Sequence, residues 1–152
     1  MVQKNLSPLA ALLIGSTACA HQSSTLAGSW RCDGEPKIAD VTGYSTQDFE
    51  LSPSGSFSVT TTTIGELDGL ERVLLAEGAG KWTEADGRLG LAYESAKIKT
   101  WMVDGAEREL SKRKQFEESM VGTTDGYAIE RDQKDAFKMS NDNSEFYCKR
   151  VS

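Results

Sequence analysis

GYAIERDQKDAFKMSNDNSEFYCKR, residues 126–150, carries the pattern on which the fold turns. Its large apolar side chains fall on alternate residues in three short runs: Tyr127 and Ile129, Phe137 and Met139, Phe146 and Cys148. Successive side chains of an extended chain point to opposite faces, so a period of two puts each run on one face of a strand. Asn141-Asp142-Asn143 separates the second run from the third, and such residues favour reversals because their short polar side chains bond the local backbone. The segment reads as three antiparallel strands, near 126–131, 136–140 and 144–151.

The same grammar extends toward the N-terminus. Asp-Gly occurs five times, at 33-34, 68-69, 86-87, 104-105 and 125-126, and a two-residue hairpin turn favours that pair because both central residues need positive φ. Ser52-Pro53-Ser54-Gly55 adds another turn. Between the turns lie alternating runs such as Phe49 and Leu51, Phe57 and Val59, and Leu89, Leu91 and Tyr93. Strands are expected near 28–33, 42–51, 56–64, 72–83, 88–94 and 97–103 as well. The one helical candidate covers roughly 111–121, where Phe116 and Met120 sit one turn apart among charges. The expected fold is all-β: an antiparallel meander closing into a small barrel of about 8–10 strands with one short helix, a two-sheet sandwich being the other arrangement of such strands.

Residues 1–20 have the composition of a secretory signal peptide: a cation at Lys4, an apolar stretch around 9–14, then small residues. Ala18-Cys19-Ala20 suits ordinary signal-peptidase cleavage before His21. Ser16-Thr17-Ala18-Cys19, on the other hand, resembles a bacterial lipobox, with serine where leucine is usual. That resemblance implies a lipidated Cys19 at the mature N-terminus, and Ala20 after it implies an outer-membrane lipoprotein facing the periplasm. A soluble periplasmic or secreted product is the outcome of the first cut. Residues 21–27 read as a flexible tether and 28–152 as one domain.

Either cleavage leaves Cys32 and Cys148, and an even pair outside the cytoplasm is most simply a disulfide. Gly28-Ser29-Trp30 resembles the G-x-W motif in the first strand of lipocalins and related calycin barrels. In that family the tryptophan lies across the closed end and a basic residue from a late strand packs over it; the resemblance assigns that part to Arg150. Register offers a test. If the first and last strands pair antiparallel with Cys32 opposite Cys148, Trp30 falls opposite Arg150 on the same face.

Composition narrows the functional classes. The formal net charge of −6 disfavours nucleic acid and anionic lipid surfaces as partners, so a membrane is expected only through an N-terminal anchor. The sole histidine is His21, in the tether, which leaves no imidazole for a Ser/His triad or a histidine metal site. No catalytic residue, metal site or cofactor is expected, and the chain reads as a non-enzyme. Two functions remain. A lipocalin-like barrel implies a small apolar ligand, with Tyr44, Phe49, Phe57, Trp82, Tyr93 and Tyr127 as candidate lining residues. Alternatively the barrel is filled and the chain is a structural or interaction protein of the envelope, where Thr60-Thr61-Thr62-Thr63 would suit an edge strand that accepts a partner strand. An interior void of several hundred Å³ favours the first function and a packed interior the second.

Overall fold

A computed structural model describes residues 25–36 and 42–151. The signal peptide, Cys19 and the first part of the tether lie outside the described residues. Among the described residues the alternating runs become nine strands: β1 (Gly28–Pro36), β2 (Thr42–Leu51), β3 (Ser56–Leu67), β4 (Leu70–Ala85), β5 (Arg88–Val103), β6 (Ala106–Glu107), β7 (Thr124–Gln133), β8 (Ala136–Asn141) and β9 (Ser144–Arg150). Between β6 and β7, the described residues form a single helix, α1 (Arg113–Met120).

Each stave pairs antiparallel with its neighbour around a ring, from β1 through β5, on to β7, β8 and β9, and back from β9 to β1. β6 only extends one end of β5. The result is a closed eight-stranded antiparallel barrel, as the meander pattern predicts. Closure removes the edge strand expected at 60–63: Thr60, Thr61, Thr62 and Thr63 are each paired with β2 on one side and β4 on the other, so they offer no free ladder to a partner.

Asp68-Gly69, Asp86-Gly87 and Asp104-Gly105 hold both residues at positive φ, between 49° and 74°, and reverse the chain between paired strands. The other two Asp-Gly pairs are not turns. Asp33-Gly34 lies inside β1 and Asp125-Gly126 inside β7. Gly34 is there for space, since a Cβ would come within 2.0 Å of the Glu145 carbonyl oxygen on β9.

The two strands expected at 88–94 and 97–103 are one continuous strand, β5, which carries two bulges. Gly80 faces Tyr93 while Ala79 faces Ser95, which makes Glu94 an extra residue; Ala76 faces Ile98 while Leu75 faces Thr100, which makes Lys99 another. Each insertion resets the alternation. Leu89, Leu91 and Tyr93, then Ala96 and Ile98, then Trp101 thereby share the inner face.

The eight staves do not rise equally. β7 pairs with β5 only as far as Ala92, whereas β4 follows β5 to Val103. Strands β2 to β5 therefore form a tall wall at the end away from Trp30. The connector that carries α1 fills the gap beside it: Tyr93 exchanges backbone hydrogen bonds with Thr123 and Gly122 at 3.0 and 2.9 Å, and the Ile98 N–H donates to Glu117 Oε1 at 2.7 Å.

Candidate functional site

The closed end is organised by one register. Cys32 faces Cys148 and Trp30 faces Arg150; the cysteines form a disulfide, and both are fully buried. The Arg150 guanidinium carbon lies 4.2 Å from the centroid of the Trp30 ring. Its two terminal nitrogens donate to the carbonyls of Ala27 and Thr25, each at 3.0 Å, and Nε pairs with Asp135 at 3.2 Å. Beneath it Trp30 donates to the Leu26 carbonyl at 2.7 Å and meets Phe137 edge to face. The segment before β1 is thus strapped across the barrel floor by an arginine from the last strand.

Above the floor the interior is packed with side chains. Phe49, Phe57, Trp82 and Tyr127, four of the six residues expected to line a ligand, are each at most 7% exposed and belong to one continuous apolar core. Trp82 satisfies its indole N–H on the Ser52 carbonyl at 2.8 Å. Tyr44 does not face the interior. It stands on the outer surface at 50% exposure, because β2 alternates and Ser45, not Tyr44, is its inward neighbour. Desolvation, and after it the neighbouring Asp33, also outward, raises the Tyr44 pKa.

Tyr93 lines the apolar cavity at the open end, whereas Tyr44 borders a more open cleft on the outer surface with Lys138 and Tyr147. An apolar space of about 70 Å³ lies at the open end, bounded by Val59, Ala76, Gly78, Tyr93 and Ile98 of the wall and by Phe116 and Met120 of α1. The space exists because inward positions of β4 and β5 hold small residues. A Cβ on Gly78 would sit 2.8 Å from the Tyr93 ring, which packs edge-on against Phe57. α1 buries none of its own residues and begins at Lys112 in a left-handed conformation without a side-chain cap. Phe116, Glu117 and Met120 were visible in the sequence only as one face of a short helix, with nothing to show what that face covers.

Polar side chains stand among the inward positions of the upper barrel. The Ser45 and Thr63 hydroxyls bond each other at 3.0 Å, and Gln47 Oε1 is buried without a partner among the described residues. Burial pushes Tyr127 up to about 12, Asp125 adding to the effect, and moves Tyr93 in the same direction. Desolvation likewise raises Asp125 above the ordinary carboxylate range. Burial favours the protonated form of each of these groups. Among the described residues no cluster of histidine, cysteine or carboxylate side chains could hold a metal ion. Asp132 accepts a hydrogen bond from the Tyr147 hydroxyl, and Asp135 pairs with Arg150.

No protein-family profile matches the chain. No curated protein is similar to it in sequence. The described geometry is compatible with a lipocalin-like barrel. The disulfide fits folding outside a reducing compartment. Among the described residues no helix is long and apolar enough to cross a membrane.

Proposed function

We propose that the protein is an exported, non-catalytic barrel domain that works through its surface, as an interaction or structural component of a bacterial envelope. The observation that carries this reading is the packed interior: four of the six side chains expected to line a ligand fill a core instead, the apolar space at the mouth is about 70 Å³, and the larger hollows, of 460 to 610 Å³, are more open clefts. Sites for drug-sized ligands enclose roughly 300–1,000 Å³. Export is supported by the signal-like residues 1–20 and by the disulfide, and a lipid anchor by the lipobox-like Ser16-Thr17-Ala18-Cys19. The test is native mass spectrometry of protein purified from its own host, together with a titration of the purified protein with laurate followed by tryptophan fluorescence. A protein free of small molecules and unresponsive to laurate is expected. A stoichiometric copurified ligand or saturable laurate binding overturns the proposal.

One observation favours a second reading, a small apolar ligand held at the mouth. The cavity walls are apolar, and α1, which roofs them, is held by one side-chain hydrogen bond to the wall and by the backbone pair at Tyr93. In this reading the helix moves aside and the ligand packs on Tyr93, Ile98 and Val59. Saturable laurate binding that is weakened in Ile98→Asn and unchanged in Phe49→Leu supports it.

A further inference from the structure

The outer surface of the tall wall carries an apolar row that the barrel does not use for its own packing. Tyr44 on β2 is registered with Ile64 on β3, Ile64 with Val73 on β4, and Val73 with Met102 on β5. Four side chains therefore stand in a line across four adjacent strands, on the face opposite the one that holds Ser45, Thr63 and Trp101. At the usual strand spacing the line is about 15 Å long. Leu75 continues it on the same face, between Thr62 and Thr100. Tyr44 and Ile64 are 50% and 45% exposed, and Val73, Leu75 and Met102 are half-buried. Singly exposed apolar residues need no explanation, but a contiguous row bordered by charge marks a contact surface.

The border is acidic. Glu66 and Glu71 are cross-strand partners just beyond Ile64 and Val73. The Asp104 carboxylate accepts a hydrogen bond from the Glu71 N–H, and Glu107 is registered with Met102. Among the described residues none of these four carboxylates takes part in an ion pair. Like charges directly opposite in a ladder destabilise it, so Glu66 and Glu71 cost the isolated domain stability that a cationic neighbour would restore.

We infer that this face docks a segment of another protein that carries apolar side chains flanked by lysine or arginine. The apolar groups seat on Tyr44, Ile64, Val73 and Met102, and the cations meet Glu66, Glu71, Asp104 and Glu107. The inference rests on the surface-mediated reading above and names the face and the chemistry of its partner. A second copy of this chain is the wrong occupant. It would bring the same carboxylates to the contact, on a molecule whose net charge is already −6.

The test uses the purified protein and two synthetic peptides of equal length, one alternating leucine with lysine and the other leucine with glutamate. Backbone resonances are followed by NMR. The lysine peptide is expected to bind, to shift resonances around Tyr44, Ile64, Val73 and Met102, and to weaken as salt rises; the glutamate peptide is expected not to bind. Ile64→Ser combined with Met102→Ser should weaken the lysine peptide by about tenfold or more, as for loss of central apolar contacts. Glu66→Gln with Glu71→Gln should weaken it and flatten the salt dependence. Both double variants change surface positions, and unaltered spectra elsewhere confirm that they fold. Failure of the lysine peptide to bind, equal affinity in the serine double variant, or shifts centred on the α1 mouth overturns the inference. So does a dimer in sedimentation that the serine double variant abolishes, since the occupant is then a second copy. The laurate titration is read separately: saturable laurate binding removes the filled-scaffold reading, whereas absence of both laurate and peptide binding removes only this face.

Discussion

Arg150→Ala tests the strap at the closed end, and the structure sets the size of the effect. The guanidinium donates two charge-assisted hydrogen bonds to the Thr25 and Ala27 carbonyls and stacks on Trp30, with the side chain 30% exposed. Bonds to charged groups contribute about 1.5–3 kcal/mol each when buried. Water can reach this site, so about 1 kcal/mol each is appropriate here. The stacking adds about 1 kcal/mol, and the ion pair with the exposed Asp135 a few tenths at most. The expected loss is therefore about 3 kcal/mol, or a fall of about 10 °C in Tm for a domain of this size. Denaturant unfolding of the oxidised protein measures it. Arg150→Lys keeps the charge but not the planar fork, and should recover less than half of the loss. Gly28→Ala is the companion, because its Cβ would lie 2.3 Å from the Arg150 Nη1 at a φ of +134°, displacing the same group from the other side. An Arg150→Ala protein within about 0.5 kcal/mol of the wild type would show that the floor is held by apolar packing alone.

Three other outcomes are expected. Thiol labelling of the unfolded, unreduced protein should find Cys32 and Cys148 blocked; reduction should lower stability by about 4–5 kcal/mol on the chain-entropy model for so long a loop, and two reactive thiols would contradict the pairing seen here. Stability should fall as pH rises from 10 toward 12, because the unfolded chain releases the Tyr127 proton near 10 while the folded protein holds it to about 12; a Tyr127→Phe variant should flatten that decline, and an identical decline in the variant would place the cause elsewhere. Metabolic labelling with a fatty-acid analogue should mark the wild-type chain and not Cys19→Ser, and an unlabelled product beginning at His21 would end the lipoprotein reading.

The closed end was legible because a single covalent constraint fixed it. Once Cys32 is set opposite Cys148, every pair in β1 and β9 follows, and Trp30 must meet Arg150. Alternation likewise indicated which residues of β8 and β9 enter the core. The mouth was not legible, for two physical reasons. Bulges at Glu94 and Lys99 change the face of every later residue in β5, and a bulge has no composition of its own to announce it. Asp-Gly, the strongest turn signal, also occurs where a strand needs glycine for close approach, as at Gly34, so the dipeptide does not separate turn from packing. Tyr44 illustrates a third limit. Aromatic character says that a side chain gains from burial, but the period of two that sends Phe49 and Leu51 inward from a strand over 42–51 sends Tyr44 outward, so alternation and not composition decides its face.

Eight staves bear on where function can sit. A barrel of that number has an interior just wide enough for side chains to fill it, and this one receives Trp30, Phe49, Phe57, Trp82 and Phe137 in its lower half together with a disulfide. Little room for a ligand remains there. Ring closure is complete only up to Ala92 of β5. Beyond it, β2 to β5 continue as a wall with no stave opposite the upper part of β5, and their side chains have fewer neighbours to pack against. On its inner side the wall is met by Phe116 and Met120 of α1, which line the cavity, and on its outer side it carries the half-buried and exposed row Tyr44, Ile64, Val73 and Met102. The lower barrel supplies stability through the strap and the disulfide. The upper wall, whose apolar groups the fold leaves incompletely covered, is where a partner has something to gain by binding.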